Sequence, residues 1–176
     1  SAGGSVREAC LWSAPLADPG VSRRACVLDR GEQVTDADPD DCPTAAPGRW
    51  IVDPDGAIVR AGLVRHYGAR HGLWQLDPDI AYLSGDRLPP GVRGFEIIEE
   101  LPLREKVLRQ ALSARDCGSL EILVRGVDVD PDALRRRLRP SGTVPLSLVI
   151  TRIGTGAGAR AVVFVCQPSF GGSSRG

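Results

Sequence analysis

The sequence predicts an α+β chain with a mixed sheet covered by helices. From residue 95 onward, extended and helical patterns alternate in the order β-α-β-α-β-β. Asp53-Pro54 and Asp130-Pro131 stand where helices should begin, because Asp suits the cap and Pro the first helical position. Two β-branched runs, 146–153 and 160–166, flank a glycine-rich turn at 154–158. Strands joined through helices need crossover connections, hence a partly parallel sheet, and the last two runs add an antiparallel hairpin.

The elements follow in chain order. Val6–Trp12 and Arg23–Asp29 read as short strands that pair across the Pro/Gly-containing 13–20 stretch. Residues 30–48 carry Asp36, Asp38, Asp40 and Asp41 among Pro, Thr and Ala, with almost no large apolar residue. Such a stretch cannot offset its ordering entropy by burial and is expected to be a loop or disordered connection. Asp53 is the expected cap of a helix reaching about Arg70, on which Ile58, Val59, Ala61, Leu63 and Tyr67 form the apolar stripe and which Gly72 stops. Short extended pieces follow at 73–76 and 80–83, and then a loop at 85–94. Phe95–Leu101 is a strand and Leu103–Arg115 a helix whose apolar face is Leu103, Val107, Leu108, Ala111 and Leu112. Leu120–Arg125 is a strand, and a short basic helix spans Pro131–Arg139. The tail 169–176 is expected to be disordered.

Composition is globular, with 42% hydrophobic and 25% charged residues. No apolar run reaches the roughly 18 residues of a membrane span. Nothing at the N-terminus resembles a signal peptide. The chain holds no Met, which suggests a piece of a longer protein. Five cysteines without a C-x-x-C pair argue against a zinc site or a disulfide framework and for buried thiols in a reducing cytoplasm. Charge is uneven: residues 1–100 hold 10 basic and 16 acidic side chains, whereas 101–176 hold 12 and 6. A basic half is compatible with a polyanionic partner.

Few residues suggest catalysis or metal binding. His66 and His71 are five apart near a helix end and lack companion ligands. Asp128, Asp130 and Asp132 alternate, but Ala133 and Arg139 occupy positions where a calcium loop needs Gly and Glu, so capping explains them better. The aspartates at 36–41 lack a closing Glu and read as a solvated loop. Neither a Ser nor a Cys nucleophile has a His placed near it. No catalytic or metal residue is therefore assigned. The densest charge is Arg135, Arg136, Arg137 and Arg139, with Arg125 before that helix and Arg152 and Arg160 on later strands. Arginine suits bidentate phosphate contact, so Arg125, Arg135, Arg136, Arg137, Arg139 and Arg152 are the candidate RNA contacts; a solvated helix face partly neutralised by the three aspartates is the other reading. With few aromatic residues nearby, recognition would rest on backbone and shape rather than base stacking.

The blocks at 54–64, Leu76-Asp77-Pro78, 80–86, 125–131 and Leu134-Arg135-Arg136-Arg137-Leu138 resemble the C-terminal half of bacterial class I S-adenosylmethionine-dependent methyltransferases carrying a THUMP-like domain. Residues 6–12 and 23–28 resemble the last strand pair of that family's Rossmann-like catalytic domain. The resemblance implies a catalytic-domain remnant at 1–30, an acidic linker at 31–48, a ferredoxin-like module at 49–94 and a THUMP-like βαβαββ domain at 95–168. It further implies that RNA (tRNA or rRNA) and the protein's own N-terminal methyltransferase domain are the partners. S-adenosylmethionine would belong to that missing domain, because no glycine-rich strand-to-helix turn and no Asn-Pro-Pro-Tyr-type motif occurs in 1–176. Where relatives usually show a Lys-Lys pair before Arg125, this chain has Leu123 and Val124. A structural or dimerising module without nucleic-acid contact is the alternative function.

Overall fold

A computed structural model describes residues 1–2, 6, 8–11, 13, 18–154 and 158–169. The β-branched runs form its centre. Strands β8 (Val144–Ile153) and β9 (Arg160–Ser169) lie side by side, antiparallel, with Leu148, Val149, Ile150, Val163 and Val165 fully buried. Of the connection between them, residues 155–157 lie outside the described residues. Strand β6 (Gly94–Pro102) flanks β9 on its other side, and strand β7 (Cys117–Arg125) runs parallel to β8. With α3 (Glu105–Ser113) and α4 (Pro131–Leu138) as the crossovers, this is the expected β-α-β-α-β-β order.

Leucine spacing explains how both helices dock. Leu108 and Leu112 on α3, and Leu134 and Leu138 on α4, sit four residues apart and cover Leu120, Ile122, Leu146, Leu148 and Ile150 on the sheet. The second sheet face carries Phe95, Val149, Val162 and Phe164, over which Leu76, Ile80 and Tyr82 pack.

The 49–94 segment joins this sheet. Its strands β3 (Trp50–Val52), β4 (Trp74–Gln75) and β5 (Leu83–Gly85) extend the order to β4-β5-β3-β6-β9-β8-β7. β3 pairs with β6, so one seven-stranded mixed sheet crosses the boundary expected near residue 94.

Three local expectations are corrected. The helix expected over 54–70 is two helices, α1 (Gly56–Arg60) and α2 (Val64–His71), because the chain turns at Gly62 with φ 68°. The side chain of Asp55, rather than that of Asp53, caps α1 by accepting the Ala57 amide at 2.8 Å. Ile58, Leu63 and Tyr67 still share a core because the break keeps them on one side.

The second correction concerns the stretch read as a linker. Strand β1 (Arg24–Val27) pairs with β2 (Glu32–Thr35), which lies inside that stretch, and the described residues of 6–12 form no strand. Gly31, at φ 60°, allows the tight return. The aspartates contribute local bonds in place of burial: Asp36 accepts from the Ser22 and Arg23 amides at 2.9 and 3.1 Å, and Asp38 accepts from the Thr35 amide at 2.7 Å. Third, Ser169 ends β9, and the rest of the tail, 170–176, lies outside the described residues.

Helix α4 begins as the Asp-Pro pair predicts. Asp130 accepts from the Asp132 and Ala133 amides at 2.9 and 3.0 Å. Those amides hold its carboxyl below the ordinary range near 3.8, the Ala133 bond contributing most. A depressed carboxyl contributes stability above its unfolded value and loses it as pH falls through the folded one. Asp130→Ala is therefore expected to speed exchange of the first-turn amides of α4 at neutral pH. Wild type should approach that behaviour only on acidification below about pH 4, a contrast amide exchange would resolve.

Candidate nucleic-acid interface

The six arginines singled out in the sequence do not form one face. Arg125, at the end of β7, turns away from the helices: its Nε and Nη2 reach Asp53 Oδ1 at 3.1 and 2.8 Å, and its guanidinium lies 5.3 Å from the Tyr82 ring centroid. Neighbouring Leu123 and Val124, at the positions of the expected Lys pair, pack into the two sheet-face cores. Arg152 reaches Asp79 at 3.4 Å and Asp77 at 3.9 Å. Both arginines tie strands β7 and β8 to the 49–94 segment, and the Arg93–Glu121 pair at 2.5 Å does the same.

On α4 the cations divide by helical position. Arg135 donates to the Leu120 carbonyl at 2.8 Å and pairs with Asp132 at 2.5 Å. Leu120 belongs to edge strand β7, so this guanidinium satisfies a carbonyl that an intruding strand could otherwise take. Arg137 pairs with Glu105 at 3.1 Å. Arg136 and Arg139 are exposed and have no ion-pair partner among the described residues.

What the structure does bring together is a groove of about 770 Å³ between the length of α3 and the C-terminal end of α4. Arg109, Arg136, Arg137 and Arg139 line it, against Glu105 and Asp116, above an apolar floor of Leu112, Cys117 and Leu138. Asp116 is occupied by the Thr143 hydroxyl and amide at 2.6 and 3.2 Å. Four guanidiniums against two carboxylates leave the groove positive. Arg109 was missed in the sequence, where it is one cation in a mixed helix; its spacing of four from Glu105 is the signal that could have found it.

Among the described residues no activated thiol accompanies these groups. Burial raises the thiols of Cys42, Cys117 and Cys166 and keeps them protonated. His66 is buried, and His71 bonds Glu32 at 2.6 Å beneath the β1–β2 hairpin, far in the fold from the groove. The arrangement can bind anions.

Residues 92–168 match a family model described as THUMP domain-like. This segment is a THUMP-like domain. Proteins from two strains of Mycobacterium tuberculosis, both described as uncharacterized S-adenosylmethionine-dependent methyltransferases, are each 68% identical over 166 residues. The match covers 94% of this chain and 46% of each relative, so the chain spans about half the length of the curated relatives it matches. A crystal structure of a Porphyromonas gingivalis protein assigned as a methyltransferase superposes with a TM-score of 0.60 over 73% of this chain and 32% of that one. At 21% identity that likeness shows the fold alone. Strands β8 and β9, on either side of the glycine-rich 154–158 stretch, are antiparallel to one another. No helix is long and apolar enough to cross a membrane among the described residues.

Proposed function

We propose that this chain is the auxiliary region of a class I S-adenosylmethionine-dependent methyltransferase, and that its THUMP-like domain binds RNA, a tRNA or rRNA, for a catalytic domain elsewhere in the parent protein. S-adenosylmethionine would be bound by that domain, with residues 1–30 bordering it, and the protein would act in the cytoplasm. One observation carries the RNA assignment: beside Arg109 and Arg137 the α3–α4 groove holds Arg136 and Arg139, which have no ion-pair partner within 4 Å among the described residues. Guanidiniums free of carboxylates can exchange water for phosphate oxygens without first breaking an internal pair. Arg125, Arg135 and Arg152, which are committed to the fold, take a supporting part.

Binding of this chain to bulk tRNA tests the proposal. About three phosphate contacts would weaken binding by roughly 20- to 40-fold between about 50 and 200 mM salt. Arg136→Ala/Arg139→Ala should remove most of that affinity and flatten the salt dependence by nearly two contacts. The pairing of Arg125, Arg135, Arg137 and Arg152 with carboxylates favours a second reading, a structural module with no nucleic-acid contact. A folded chain that ignores tRNA at low salt would establish that second reading.

A further inference from the structure

Glu105 has an unusual position in the groove. It opens α3, yet its carboxylate joins two guanidiniums from different helices. Oε2 lies 3.1 Å from Arg137 Nε, and Oε1 lies 3.4 Å from Arg109 Nη2. Arg109 Nη2 also donates to the Arg137 carbonyl at 2.9 Å, which fixes α3 against the end of α4. Glu105 and Arg137 line both the large groove and a second cavity of about 190 Å³ beneath Leu103, Leu108 and Leu134. The bridge is therefore a bar across the seam between the two helices.

A carboxylate that turns one oxygen to each of two arginines occupies the place a phosphate would take between them. All three side chains are about half exposed, so the bridge is accessible and its desolvation is slight. We infer that Glu105 holds the place of an RNA phosphate: on binding, one backbone phosphate takes over Arg109 and Arg137, and the Glu105 carboxylate swings out to solvent. The inference rests on the RNA-positioning proposal and adds a phosphate subsite with a built-in competitor. Its physical consequence is selection. A lone small anion gains only what it displaces, whereas a polynucleotide adds Arg136 and Arg139 contacts and overcomes the bridge.

The test compares tRNA binding by wild type, Glu105→Gln and Asp128→Asn at low and moderate salt. Gln keeps the size and one acceptor oxygen of Glu105 but not its charge, so one guanidinium is released and the other is held by a neutral bond alone. Asp128→Asn removes an equal charge from the exposed loop before α4, so it reports the general gain from lower negative charge. Glu105→Gln should bind about 3- to 10-fold more tightly than Asp128→Asn, with a salt dependence steeper by about one phosphate contact. Glu105→Ala should show the same gain, which guards against an effect of the new amide. If wild type binds and neither Glu105 variant exceeds Asp128→Asn, Glu105 is an ordinary surface partner and this inference alone is overturned. If no protein binds while circular dichroism shows all of them folded, the RNA proposal and the subsite are both lost.

Discussion

Replacing Gly118 or Gly142 with alanine is expected to unfold the THUMP-like domain or lower its stability by about 3 kcal/mol or more. A Cβ on Gly118 would lie 2.0 Å from the Gly142 carbonyl oxygen, and one on Gly142 would lie 2.1 Å from the Asp116 carbonyl oxygen. Both obstacles are backbone, so no rotamer change relieves them. The backbone there is already drawn tight: the Gly142 amide bonds the Cys117 carbonyl at 2.8 Å, and the Thr143 amide bonds the Asp116 carbonyl at 2.9 Å. This seam starts β7 beside β8 and places the 140–142 loop at the mouth of the groove. Urea denaturation of the two variants checks the expectation; midpoints equal to wild type would mean that the two backbones can part cheaply.

The second large effect is expected at Asp53. Asp53→Ala would leave the half-buried Arg125 guanidinium above Tyr82 without its acceptor. The expected cost is about 2 to 3 kcal/mol, below that of a fully buried broken pair because both side chains keep some solvent contact. Asp53→Asn should be tolerated far better, because its amide oxygen still accepts both guanidinium bonds. The titration points the same way. Burial raises the Asp53 carboxyl above its ordinary value near 3.8, and Arg125 only partly offsets this. A raised folded value means the site favours folding most below the unfolded value, an advantage lost as pH rises through the folded one. The pair thus serves to register the 49–94 segment on β7 more than to add net stability. Thermal melts across acid and neutral pH would show Asp53→Asn flattening that dependence; equal losses for Asn and Ala would contradict the explanation.

How legible this fold was in its sequence depended on the range over which each element is determined. Helix α4 is set locally by Asp130, Pro131 and leucines at 134 and 138, and its bounds were readable. The centres of β8 and β9 were readable too, because their β-branched runs are buried on both faces, although β8 begins at Val144 and β9 continues to Ser169, beyond the expected runs. Strand β3, three residues long, has no periodicity to read and is a strand because β5 and β6 flank it. Strand β2 was hidden because Val34 is its only buried side chain. The Asp53-Pro54 pair matched the helix-start pattern, yet Asp53 serves a residue 72 positions away.

The site was legible in part for the same reason. Arg136 and Arg139 were in the expected cluster, but which arginines stay unpaired depends on carboxylates brought in by folding. Glu105 and Asp53 reach Arg137 and Arg125 only through the tertiary structure. Charge density located the helix, and packing decided which of its arginines are paired with carboxylates.

The most direct test of the RNA-binding claim is amide exchange of the whole chain with and without tRNA at low salt. Protection confined to the ends of α3 and α4 and to residues 139–142 is the predicted result. Protection centred on Arg125, Arg152 and the 76–82 loop, or no protection in a folded chain, would contradict the assignment of RNA to the α3–α4 groove.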